Sequence, residues 1–344
     1  MAEQGAMPAF STGKRLLFSA AFAAALAVPA PASGQSYKVV TTVPAKMSGG
    51  TTAFIDARSK RVIEIDAAGR VVWQCSLAAA HFNSGELQRG ADLEWIRADD
   101  TFLVAIPFSG IFRIDRKCNV VWRYQTAKVS HDADLLPNGN ILHTWAWDSP
   151  GDMQAVEVNP AGKIVWSWRA QPHVQQKWTA DGKGAPDTPK RGPGSGQGGG
   201  RGEGFTHANA VVRLPDGDTL VSLRNFHRVA RVAQDGSVRR FYGPINYVHE
   251  PDILPDGSLI AAQRAPMLVT AYGDGKRRII FANDIGIAPI RTVEQLNGGN
   301  FLLTGGEDIV EIDGEGTVVW HVKIFTGLGA RIRDGVYKAV RVAK

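Results

Sequence analysis

The chain has 344 residues, 44% of them apolar, and 39 basic side chains against 33 acidic ones give it a net charge of +6. The basic residues are scattered except between Lys190 and Arg201, which excludes the concentrated patch of a nucleic-acid binder. Charge this mild suits an anionic small substrate or simple solubility, and an all-β fold of this length can be one domain.

At the N-terminus, Lys14 and Arg15 precede an apolar run from Leu16 to Val28, and Ala30-Pro31-Ala32 supplies small residues at cleavage spacing. Residues 1–32 therefore read as a secretory signal peptide, with an uncleaved anchor as the alternative. The run is short for a membrane span, and no later segment offers about 18 apolar residues in succession. A mature chain without a membrane span is expected in a bacterial periplasm or outside the cell. Glu3, Lys14 and Arg15 leave with the peptide, so its net charge is about +5.

From residue 36 to 344 the sequence repeats. One element is a turn followed by a strand that ends in an aromatic: DAAGRVVW to Trp73, DRKCNVVW to Trp122, NPAGKIVW to Trp166 and DGEGTVVW to Trp320. Weaker copies reach Phe241 and Phe281. The other element is a hairpin, as in LPNGNILHT from Leu136, LPDGDTLVS from Leu214, LPDGSLIAA from Leu254 and LNGGNFLLT from Leu296. Asn138-Gly139, Asp216-Gly217 and Asp256-Gly257 read as two-residue turns. Four strands recurring about every 40 residues mark a propeller blade, and six units give an all-β, six-bladed β-propeller. The tail DGVYKAVRV from Asp334 is a strand without a later partner, expected to join the first blade and close the ring. The Trp and Phe positions are expected to pack between blades.

Two features stand apart from the repeat. Residues 177–204, rich in Gly, Pro and polar side chains, form an insertion between the third and fourth blades. It reads either as a lid over a pocket or as a surface insertion. Cys75 follows one Val-Val-Trp strand, whereas Cys118 stands in the turn before the next. That puts them toward opposite ends of their strands, and two free thiols are expected.

Chemistry concentrates in matched histidines: His131 in HDADLLPNG, His207 in THANAVVRLPDG and His249 in HEPDILPDG. Packing alone gives a repeat no reason to carry imidazoles in register. His131 and His249 stand five residues before the Leu that opens the turn, Asn209 holds that place in the fourth blade, and His207 lies two residues earlier. Side chains two apart share a strand face, so all four are expected at one mouth of the central channel. Two-residue turns would set Arg264 opposite His249 and Arg224 opposite Asn209, with Arg291 at the matching place in the sixth blade. His143 and His227 are expected to be structural, and His81, His173 and His321 carry no assignment.

Histidines alone would suggest a metal, but neighbouring arginines raise the cost of a cation and suit an oxyanion instead. A nucleophilic imidazole, a second imidazole and guanidinium groups on the transferring oxygens can move a sulfuryl or phosphoryl group. The plainer alternative is a set of polar channel residues bonded to water.

The HDxDLLPNGN pattern at His131, the HxN pattern at His207 and Asn209 and the SxR pattern at Ser222 and Arg224 resemble bacterial aryl-sulfate sulfotransferases of the arylsulfotransferase superfamily. The likeness is strongest from Val129 to Arg264. The resemblance implies transfer of a sulfuryl group from a phenolic sulfate ester to a phenol through a sulfated histidine, without a nucleotide donor. It implies His249 as nucleophile, with His131, His207 and Arg224 on the sulfate oxygens and the leaving phenol, and Asn209 assisting. Arg264 and Arg291 are added from the repeat as substrate-binding residues. No metal and no organic cofactor is required, and the partners are an aryl sulfate and a phenolic acceptor. The competing class is a non-catalytic propeller that binds a ligand or scaffolds a protein, since Gly-x-Val-Val-Trp strands also resemble quinone-cofactor-type propellers.

Overall fold

The computed structural model describes residues 36–343 except 80–81, 147, 150, 175–203, 264–267, 288 and 326–335. The signal-peptide assignment and nearly all of the 177–204 insertion lie outside the described residues. Among the described residues, no helix is long and apolar enough to cross a membrane.

Six antiparallel sheets, each with at least four strands, make the six expected blades. From the channel outward, blade 3 runs Val129–Leu135, Ile141–Trp145, Ala155–Val158 and Ile164–Trp168. The C-terminal strand Ala339–Val342 is the innermost strand of blade 1, paired with Thr51–Asp56, so the tail closes the ring as the repeat predicted. A second closure was not foreseen: Ser36–Thr42 adds a fifth, outermost strand to blade 6 by pairing with Val318–Phe325. The first and the last described strands thus both pair with blades at the junction of the ring.

Period-two alternation explains how the blades stack. In Thr101–Ile106, Phe102, Val104 and Ile106 pack toward blade 1, while Leu103 and Ala105 pack toward blade 3. Burial on both faces is why these strands read as continuous apolar runs. The six apolar clusters each lie between two neighbouring blades rather than within one.

The aromatics fasten those interfaces. The indole N–H of Trp73 donates to the carbonyl of Arg116 in the next blade, and Trp122, Trp166 and Trp320 do the same to Pro160, Gln234 and Ala67, each at 2.9 Å. Each strand except the one at Phe281 runs on past its aromatic, so the next blade's turn rests against mid-strand rather than against the strand end.

That offset corrects the cysteine expectation. Trp73 reaches Arg116, and two residues further along each segment Cys75 and Cys118 meet, with Cα atoms 5.5 Å apart, in a disulfide between blades 1 and 2. Among the described residues no cysteine is free.

The hairpin turns also differ from expectation. Leu254 N–H bonds to Ser258 and Gly257 N–H to Leu254, with Gly257 at φ 80°, so the loop has three residues and a glycine bulge rather than two residues. Leu136–Asn140, Leu214–Asp218 and Leu296–Asn300 repeat it. Each register therefore slips by a residue: Pro251 pairs with Ala261, not Ala262.

Candidate active site

The register slip decides where the arginines go. Ala208 pairs with Leu223, so Arg224 passes the strand end and enters a single 3-10 turn, Arg224–Phe226. Its guanidinium goes to His207, with Nη1 3.0 Å from Nδ1 and 2.9 Å from Nε2, and not to Asn209. Arg264 lies outside the described residues, and the His249 amide donates to the Ala262 carbonyl at 3.4 Å.

The three histidines do converge. The rings of His131 and His207 stack with centroids 5.4 Å apart. The ring of Tyr337 stacks on His131 at 5.3 Å and lies 6.4 Å from that of His249. His249 donates from Nδ1 to the Tyr247 carbonyl at 2.7 Å, and Arg291 Nη1 lies 2.6 Å from its Nε2. The guanidinium of Arg224 sits over Tyr247, 5.3 Å from the ring centre, and that of Arg291 is 5.8 Å from the Tyr337 ring. Asn209 is brought to the same region in another role: its Nδ2 donates to Val248 at 2.9 Å, tying blade 4 to the residue before His249.

Burial first, then the charges of Arg291 and Arg224, hold His249 well below the ordinary imidazole pKa of 6.5. Burial followed by the same two arginines lowers His131 to about 4, although its bond to the Gly90 carbonyl opposes this. Both rings are neutral at pH 7. With Nδ1 protonated toward a carbonyl, His249 carries its lone pair on Nε2.

Several supporting residues were missed in the sequence. Buried Asp148 accepts from the Thr206 and His207 amides, the Thr206 hydroxyl and Gln154, and so fixes the corner where His207 has φ 48°. Gly90 has φ 94°, and a side chain there would strike Tyr337 and His131. Tyr337 comes from the closing segment; the rule that innermost strands line the channel, applied to that segment, would have found it. His227 accepts the Tyr247 amide on Nδ1 and steadies the carbonyl that holds His249, consistent with its expected structural role. His143 bonds the Thr144 carbonyl, and His321 pairs with Asp308.

Deeper in the channel lies an acidic tier. Lys338 reaches Glu250 at 3.0 Å, Asp92 at 3.2 Å and Asp132 at 3.6 Å. The carboxylates of Asp92, Glu94 and Asp132 accept the amides of Ala133, Leu135 and Val211, joining innermost strands of different blades. Burial pushes Asp132 and Asp134 well above the usual carboxylate range, and Glu94 and Glu294 up to about 7. The signal was present as paired acids in HDAD, HEPD and ADLE.

A six-bladed propeller with this axial group of neutral imidazoles and guanidinium ions has clear kin. The sequence profile described as Arylsulfotransferase (ASST) matches residues 36–251, and the chain belongs to that family. Membership supports an arylsulfotransferase-like function on small molecules. No functionally curated protein matches the chain. Among solved structures, a protein of unknown function from Bacteroides caccae is 17% identical, with 85% of this chain and 98% of that one covered and a TM-score of 0.56. A streptogramin B lyase is 12% identical over 84% and 87%, with a TM-score of 0.52. The virginiamycin B lyase of Staphylococcus aureus is 12% identical over 83% and 88%, with a TM-score of 0.51. At these identities the likeness is one of fold.

Proposed function

We propose that the protein is an aryl-sulfate sulfotransferase that works through a sulfated His249. The observation that carries this reading is the 2.7 Å bond from His249 Nδ1 to the Tyr247 carbonyl, which makes Nε2 the nucleophilic nitrogen among groups suited to an oxyanion. Nε2 forms a bond to sulfur as the bond from sulfur to the aryl oxygen breaks, and the aryl oxide leaves with the electron pair. The imidazole keeps its Nδ1 proton, and the positive charge it gains is stabilised by the Tyr247 carbonyl. An acceptor phenol then forms the new S–O bond as N–S breaks and Nε2 regains its electron pair, and the phenol's proton passes to the aryl oxide released in the first step or to solvent. Arg224 and His207 hold sulfate oxygens and the leaving oxygen, while Asn209 positions the backbone before His249. Neutral His131 stacked on His207 is suited to accept a hydrogen bond from an incoming phenol.

We place the reaction outside the cytoplasm, a reading supported by residues 1–32 and by the disulfide. The test is intact-protein mass after exposure to 4-nitrophenyl sulfate without acceptor. A sulfuryl adduct on His249, discharged by added phenol and absent from a folded His249→Ala variant, is the expected result. Turnover in that variant within about tenfold of the parent would remove His249 as the nucleophile. No adduct and no turnover in the parent would leave a binding propeller.

A further inference from the structure

Arg291 lies in blade 6, beyond the residues matched by the family profile, yet it makes the shortest polar contact to the reacting ring. Its Nη1 is 2.6 Å from His249 Nε2, and its root is fixed by a backbone bond to Thr304 at 2.8 Å. A neutral imidazole has one N–H, and in His249 that N–H is directed to the Tyr247 carbonyl. Nε2 must therefore be the acceptor and Arg291 the donor. The lone pair needed for attack on sulfur is engaged in the resting protein.

We infer that Arg291 is a substrate-displaced cap: it holds the Nε2 lone pair until an anionic ester arrives and then moves to the oxygens of that ester, freeing Nε2 when the electrophile is in place. This rests on the reading of His249 given above. The exchange is favourable because the guanidinium trades a neutral acceptor for an oxygen that carries negative charge, which adds the attraction of opposite charges to the hydrogen bond. Tyr337 offers an aromatic face along which the guanidinium can shift while remaining stabilised. The cap also sets a substrate class. Esters with anionic oxygens release the nucleophile, whereas neutral acylating or sulfonylating agents have nothing to draw Arg291 away and react slowly.

Diethyl pyrocarbonate, a neutral reagent that acylates imidazole nitrogen, separates capping from sulfate binding. The full chain is treated at neutral pH without substrate, and modification of His249 is followed by peptide mass mapping in the parent, Arg291→Ala and Arg291→Gln. The cap predicts that His249 is modified about tenfold faster in both variants, the factor a lost hydrogen bond of this kind represents. In the same variants kcat/KM for 4-nitrophenyl sulfate falls about a hundredfold, because a guanidinium on the transferring oxygens is lost, and Arg291→Lys recovers part of it. Unchanged His249 modification in folded variants overturns the cap even if turnover falls, and the sulfotransferase reading then still stands. A parent protein that turns over no aryl sulfate defeats that reading, while the modification rates still decide whether Arg291 covers Nε2.

Discussion

The Tyr247 carbonyl oxygen and His249 Nδ1, two residues apart along the chain and 2.7 Å apart in space, fix which ring nitrogen carries the lone pair. His227 accepts the amide of that same Tyr247, so both backbone polar groups of the residue are engaged by imidazoles.

The pH dependence of transfer follows from this arrangement. His249 is neutral well below 6.5, chiefly through burial and then through Arg291 and Arg224. Attack requires the neutral ring, so kcat/KM for an aryl sulfate should be level from about pH 8 down to about pH 6 and fall only in more acidic solution. An acid limb centred near the ordinary imidazole value would show that burial and the two arginines do not hold the reacting ring neutral.

Asn209 should act on rate more than on binding, because its amide holds Val248 rather than a substrate atom. Asn209→Ala is expected to lower kcat about tenfold with KM little changed. Asn209→Asp, which sets a carboxylate against the Val248 carbonyl, should do more damage at neutral pH. Steady-state kinetics on both variants test this. A loss confined to KM would place Asn209 on the substrate.

The blades were legible because the repeat writes four of the six interfaces twice, once in alternating apolar residues and once in the Trp whose indole N–H binds the neighbouring turn. The histidine cluster was legible for a related reason, since equal places in a closed ring come together. Pairing across turns was not. Leu-Pro-Asp-Gly reads equally as a two-residue turn or as a three-residue loop with glycine at positive φ, and that residue, together with the shift in register between Ala208 and Val211, moved Arg224 from Asn209 to His207. Asp148 and Tyr337 were hidden for another reason. They enter the site from a loop and from the closing segment, where no repeat register points to them.

The acidic tier makes stability depend on pH in a direction one substitution can isolate. Burial raises Glu294 to about 7, opposed by Lys338, with Glu250 adding to the rise. A carboxyl whose folded pKa exceeds its unfolded value favours folding when protonated. Its contribution is complete below the unfolded pKa of about 4.5 and is lost as pH rises through about 7. Glu294→Gln keeps the shape without the charge, so it should stabilise the fold by about 1–2 kcal/mol at pH 8, an amount discounted because the side chain is partly exposed to solvent. The gain should vanish near pH 4. Urea unfolding of both proteins at the two pH values measures it. A gain of equal size at both would mean packing rather than ionisation.

Cys118 tests how the disulfide and the turn share one position. It stands at φ 66°, where the corresponding turns of other blades have Gly69, Gly162, Gly236 and Gly316 at φ between 77° and 86°. A side chain in that left-handed conformation costs about 1–2 kcal/mol, which a bridge of typical worth, about 2–4 kcal/mol, offsets. The bridge spans 43 residues and ties blade 1 to blade 2 beside the Trp73 contact. Cys118→Ala loses the bridge and keeps the strained backbone, whereas Cys118→Gly loses the bridge and removes the strain. The glycine variant should therefore be more stable than the alanine variant by about 1 kcal/mol, and both should be less stable than the oxidised parent. Denaturant midpoints of the three proteins, with the parent also measured after reduction, give the comparison. Alanine and glycine variants of equal stability would show that the turn does not need a left-handed residue, and that the bridge stabilises the blade junction without offsetting any backbone strain.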